Sequence, residues 1–207
     1  FFSFLFRGVN VGFEPYLAHE MGMSPAEIGT LTSVYFLGFA LAQIPAGVLL
    51  DHYGARRVTA SLLLLAAAGS VLFGQADSSA AMLAGRLLIG IGASVCLGGA
   101  FKATAQHFPM SQLTLVNGLV MAVGGLGGVA VGAPLNWLLT LAPWRTLSIW
   151  LGLLTAIVSL IVWMGAPKAQ KKAQSHASIG DQLQGTVHIL RSAVFWKFST
   201  FCAVNQA

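Results

Sequence analysis

Arg7, Asn10 and Glu14 follow one another at spacings of three and four in an otherwise apolar run, which sets them within one narrow face of a helix. A guanidinium meets a carboxylate or a phosphate through paired hydrogen bonds, so Arg7 is a candidate contact for an anionic solute. A low dielectric favours the protonated form of a carboxyl group and a nearby arginine opposes it, so Glu14 is a candidate carrier of a coupling proton. Arg86 stands in a second apolar run at a depth similar to that of Glu14, and these two are expected to pair, with Arg7 deeper. The plainer alternative is an ion pair that only stabilises one conformation. Tyr35 adds a hydroxyl that faces either a cavity or a neighbouring helix. No His-Glu-x-x-His, paired intramembrane aspartates or glycine-framed serine is present, which argues against an enzyme. His19, His52, His107, His176 and His188 lack metal-ligand spacing, so neither a metal nor a cofactor is expected.

The elements that must carry these residues are membrane spans. Of the 207 residues, 56% are hydrophobic and 8% charged, and the mean hydropathy is +0.77, more apolar than soluble domains. A span takes about 20 predominantly apolar residues. Residues 1–18, 28–50, 58–76, 81–105, 114–142 and 146–166 qualify as six continuous runs. Their continuity excludes a β-barrel, so an all-α membrane protein is expected. A channel would need a discontinuous filter segment, and these loops are short. Cys96 and Cys202 fall in apolar runs and read as packed, reduced side chains.

With six helices the connections alternate between two sides. One receives Arg56, Arg57, Lys102, Lys168, Lys171, Lys172, Arg191 and Lys197, and the other only Arg145 among the basic residues. That asymmetry sets the first side as cytoplasmic, with the loops holding Arg56 and Lys168 inside a bacterial inner membrane. The net charge of +5 then reflects topology, and nucleic acid is not a partner. Residues 1–166 form the six-helix unit. Residues 167–194 read as a cytoplasmic basic linker whose second half aligns Ile179, Leu183, Val187, Leu190 and Val194 on one helical face. Residues 195–207 begin another apolar run, read as a truncated seventh helix, and the first helix is expected to be cut as well.

Between the second and third spans, "GVLLDHYGARR" holds Gly47, Asp51, Gly54, Arg56 and Arg57. This stretch resembles the signature of the major facilitator superfamily at the same loop. Gly47 is expected to allow close helix approach, Gly54 a positive backbone angle, and Asp51 to accept hydrogen bonds from free amides at a helix start. The resemblance implies that the loop latches against the other half of a transporter, as a conformational gate. "GRLLIGIGA" at residues 85–93, "APWR" at 142–145 and "FKATAQHFP" at 101–109 are similar to further family patterns, the last to members that carry anions. Gly124, Gly128 and Gly132, followed by Pro134, form a small-residue stripe suited to helix packing. They depart from the drug-antiporter pattern, because Ala133 separates glycine from proline. "QIPAG" and "GAP" sit at corresponding depths of the second and fifth spans, as two inverted three-helix repeats would place them.

The resemblance implies an N-terminal six-transmembrane-helix half that moves a small solute, organic anions being one candidate class, by alternating access, in a symporter or antiporter. Its partners are then the lipid bilayer, the solute and a missing C-terminal six-helix half. The competing expectation is a half-size accessory or structural membrane protein without transport of its own.

Overall fold

The computed structural model describes residues 1–165. The expected linker with its amphipathic face, the expected start of a seventh helix and Cys202 lie outside the described residues. Within them, α1 (Phe2–Met21), α2 (Pro25–Tyr53), α3 (Ala55–Gln75), α4 (Ser79–Ala93), α5 (Cys96–His107), α6 (Met110–Val129), α7 (Ala133–Leu141) and α8 (Trp144–Gly165) follow in order. They make six passes, since α4 continues into α5 and α6 into α7. Five stretches are long and apolar enough to cross a membrane: 25–53, 55–75, 79–107, 110–129 and 144–165. Helix α1, with 20 residues, is as long as the shortest of them, but Arg7, Glu14 and Glu20 lower its apolarity.

Local chemistry explains where helices start, stop and break. Helix α2 begins with a capping box: the Ser24 hydroxyl accepts from the Glu27 amide at 3.3 Å, and the Ser24 amide donates to Glu27 Oε2 at 2.8 Å. Pro25 follows where a missing N–H costs nothing. Gly54, with φ of 83°, separates α2 from α3 within one residue, which an L side chain would resist. The expected positive angle is therefore present. Two prolines at matching depths behave differently. Pro45 stays inside a continuous α2, while Pro134 opens the fifth pass between α6 and α7 and the Leu135 amide donates to the Ala130 carbonyl instead, at 3.1 Å.

Close approaches between passes rest on small residues. Gly69 and Gly85 face each other across α3 and α4, and a methyl on either would lie under 3 Å from the other's carbonyl. Gly38 lies against the Leu87 backbone, and Gly90 against that of Tyr35, so α2 and α4 meet almost backbone to backbone. On α3 and α8, Gly74 and Gly152 do the same against Arg145 and Ala67. The stripe expected at Gly124, Gly128 and Gly132 is only partly used. Gly124 packs on the Phe4 ring and Gly127 on the Phe1 backbone, while among the described residues nothing lies near Gly128 and only Val129 near Gly132. Residues three apart, rather than four, follow α1 here, because α1 crosses α6 over a short stretch and the helix breaks before Gly132. Gly47 likewise meets nothing among the described residues, so its expected close approach is absent within this unit.

Candidate functional site

Helix α1 has two polar faces rather than one stripe. Arg7, Val11, Glu14 and Ala18 are exposed, at helical spacings that define a single open face. Asn10 points the other way and is 1% exposed. The expectation that Arg7, Asn10 and Glu14 share one face is corrected at Asn10: a residue three positions from Arg7 is turned about 60° from it, enough to enter the core.

The inward face holds Arg86, also 1% exposed. Its Nη2 donates to Asn10 Oδ1 at 2.6 Å and its Nη1 to the Phe6 carbonyl at 3.4 Å. Its Cζ stands 4.5 Å from the centre of the Phe73 ring. Asn10 passes the link on, since its Nδ2 donates to Thr32 Oγ1 at 2.8 Å and to the Ile28 carbonyl at 3.4 Å. One amide therefore ties α4 to α1 and α2. The expected Glu14–Arg86 pair does not form. Glu14 lies on the open face with no hydrogen bond or ion pair among the described residues. Arg86 meets α1 at Phe6 and Asn10, one to two turns before Glu14, and Glu14 lies on the opposite face of that helix, so both depth and rotation separate the two groups.

The open face centres on Arg7. Its Cζ is 5.3, 5.9 and 5.5 Å from the ring centres of Phe4, Phe36 and Phe39, which surround the cation on three sides. Beneath them Tyr35 is buried, donating its hydroxyl to the Ser3 carbonyl at 3.3 Å, with the Arg7 guanidinium close to the Tyr35 hydroxyl. Tyr35 stacks on Phe39 and stands edge-on to Phe36. No carboxylate pairs with Arg7 among the described residues. The three phenylalanines were missed in the sequence. Phe36 and Phe39 sit three apart on a run that is apolar all round, so periodicity did not single them out.

The loop motif also differs from expectation. Asp51, in the last turn of α2, pairs with Lys102 of α5 at 2.6 Å, and Lys102 donates to the Leu50 carbonyl at 2.7 Å. Asp51 thus finds a cation on another pass rather than amides at a helix start, and Lys102 caps α2 rather than reaching for the membrane surface. Arg56 is half-buried and Arg57 exposed. At the opposite end Trp144 is fully buried between Phe13 and Phe73, and its Nε1 donates to Glu20 Oε2 at 2.8 Å. Arg145 caps α3 by donating to the Ala76 carbonyl at 2.7 Å and lies 3.7 Å from Asp77.

These features agree with what the chain resembles. The model of the Major Facilitator Superfamily matches residues 1–207. The chain is 26% identical over 201 residues to the probable nitrate/nitrite antiporter NarK1 of Thermus thermophilus, covering 89% of this chain and 43% of that protein. It is 28% identical over 142 residues to the probable sulfoacetate transporter SauU of Cupriavidus necator, covering 67% and 32%. It is 30% identical over 151 residues to the multidrug resistance protein MdtL of Salmonella paratyphi B, covering 71% and 37%. The chain spans less than half the length of each of these relatives.

Proposed function

The chain belongs to the major facilitator superfamily, and from that premise we propose that it forms the N-terminal six-pass half of a secondary transporter that carries an anion by alternating access. It is a multi-pass integral membrane protein. The observation that carries the reading is the open face of α1. An arginine and a glutamate within a membrane pass are costly against lipid, so that face borders a wet cavity or another part of the transporter. Arg7, held by three rings and with no carboxylate partner among the described residues, is the group that meets the solute there. Relatives named for nitrate, nitrite and sulfoacetate support an anion. The relative named for multidrug resistance supports it less, because Ala133 interrupts the drug-antiporter glycine and proline pattern.

A second six-helix half covers the exposed side of α6 and faces α2 across the cavity that Arg7 and Phe36 line. The end with Arg56, Arg57 and Lys102 faces the cytoplasm, against Arg145 at the other end. The Asp51 loop meets the second half there as a gate, with Gly47 giving it a surface without side chain. Glu14, on the same face as Arg7, carries the coupling proton. The test uses the full-length transporter in liposomes, with uptake of anions driven by a pH gradient. Arg7→Ala lowers uptake at least tenfold with thermal stability intact. Glu14→Gln removes the response to the gradient and leaves anion exchange. Undiminished uptake by Arg7→Ala disproves the anion site, and gradient-driven uptake by Glu14→Gln disproves the proton role.

A further inference from the structure

The aromatic surroundings of Arg7 bear on which anion the site takes. We infer that this half selects an organic anion with a flat apolar body, its charged group on Arg7 and its body against Phe36 and Phe39, in preference to a small, strongly hydrated inorganic anion. The inference rests on the proposed anion site at Arg7 and narrows it.

Donor supply is the first argument. A small anion taken out of water needs several hydrogen-bond donors to replace its hydration. Around Arg7 the described residues provide few. The Tyr35 hydroxyl is committed to the Ser3 carbonyl, the Ser33 hydroxyl to the Gly29 carbonyl at 2.9 Å, and the Asn10 amide to Thr32 and Ile28. The guanidinium fork is what remains, and it suits the two oxygens of one carboxylate or sulfonate group.

Apolar surface is the second. Phe36 is 43% exposed beside the cation, and Leu37 on the same helix and Val11 on the open face of α1 are exposed as well. In a cavity that binds only hydrated ions, such surface contributes nothing. A planar ring laid on Phe36 recovers burial and aromatic contact that a methyl group cannot supply. The rings also keep the guanidinium from folding away, since it already contacts three faces.

Benzenesulfonate and methanesulfonate carry the same charged group and differ only in the body, so their ratio isolates the proposed selectivity. Binding of each to the purified full-length transporter is measured, with nitrate as the inorganic probe. Benzenesulfonate should bind about tenfold more tightly than methanesulfonate and nitrate. Phe36→Ala should shrink the sulfonate ratio to about threefold or less, because both sulfonates share any loss of support for Arg7 and only benzenesulfonate loses the ring it lies on, and Arg7→Ala should weaken both sulfonates. The exposure of Phe36 makes loss of folding an unsuitable explanation, which a melting curve of the variant checks. Equal sulfonate affinities, or a ratio indifferent to Phe36→Ala, overturn the selectivity while Arg7 dependence keeps the anion site. Binding of the sulfonates without any dependence on Arg7 overturns both.

Discussion

Two arginines flank α1, and they differ in almost every respect that decides a role. Arg86 is sealed from solvent, anchored to Asn10 and the Phe6 carbonyl, and stacked on Phe73. Arg7 is exposed and touches mainly rings. The difference teaches that a charge within a membrane pass does not by itself mark a solute site. Arg86 joins three passes and has little freedom to receive anything. Arg7 borders open space and can.

The strongest way to break this comparison is to remove each guanidinium in turn and follow unfolding in detergent. Arg86→Ala leaves Asn10 Oδ1 without its donor and a void under Phe73, so about 2–4 kcal/mol of stability should be lost. Arg7→Ala should cost about 0.5 kcal/mol or less, as exposed positions do. Similar melting shifts for the two variants would mean that Arg7 is as structural as Arg86, and the proposed site would go with it.

Asn10 offers a smaller effect that sharpens the inner half of the contrast. Among the described residues Arg86 pairs with no carboxylate, and the Asn10 oxygen is its shortest hydrogen bond. Asn10→Leu withdraws that oxygen and should cost about 2 kcal/mol. Asn10→Asp keeps an acceptor and adds a countercharge, at the expense of the donations to Thr32 and Ile28, so it should stay within about 1 kcal/mol of the parent. Equal losses in both variants would show that the Asn10 oxygen matters less than its shape.

Much of this organisation was legible in the sequence. The six passes follow from run length and apolarity, and Gly54 from the need for a sharp reversal between Asp51 and Arg56. The breaks at Ser94 and after Val129 were not, because each apolar run is continuous through them; Pro134 was visible, but its effect differs from that of Pro45 in the same chemical setting. The fate of the polar residues was harder still. Spacing puts Arg7, Asn10 and Glu14 near one another on a helix, but which of them turns inward depends on where α4 approaches, and that is set by Gly90 and Gly38 on other passes. The close approach of those backbones brings Arg86 to Asn10 and leaves Glu14 on the open side. Lys102 shows the same limit, since its partner is fifty-one positions earlier in the chain.

Lys102 is intermediate between the two arginines in burial, and its expected effect falls between theirs and below that of Asn10→Leu. Its side chain is 20% exposed and that of Asp51 is 59% exposed, so solvent screens the pair, and exposed pairs contribute about 0–1 kcal/mol. The bond to the Leu50 carbonyl adds a cap to α2 where the chain turns at Gly54. Lys102→Met should therefore lower stability by about 0.5–1 kcal/mol, and Lys102→Arg by less, because a guanidinium can keep the contact with Asp51. A melting curve at low and high salt separates the contributions: the difference between parent and Lys102→Met should shrink with salt if the ion pair dominates and persist if the cap does. A loss as large as that of Arg86→Ala would remove the ordering by burial altogether, and with it the ground for treating Arg7 as the cation left to meet a solute.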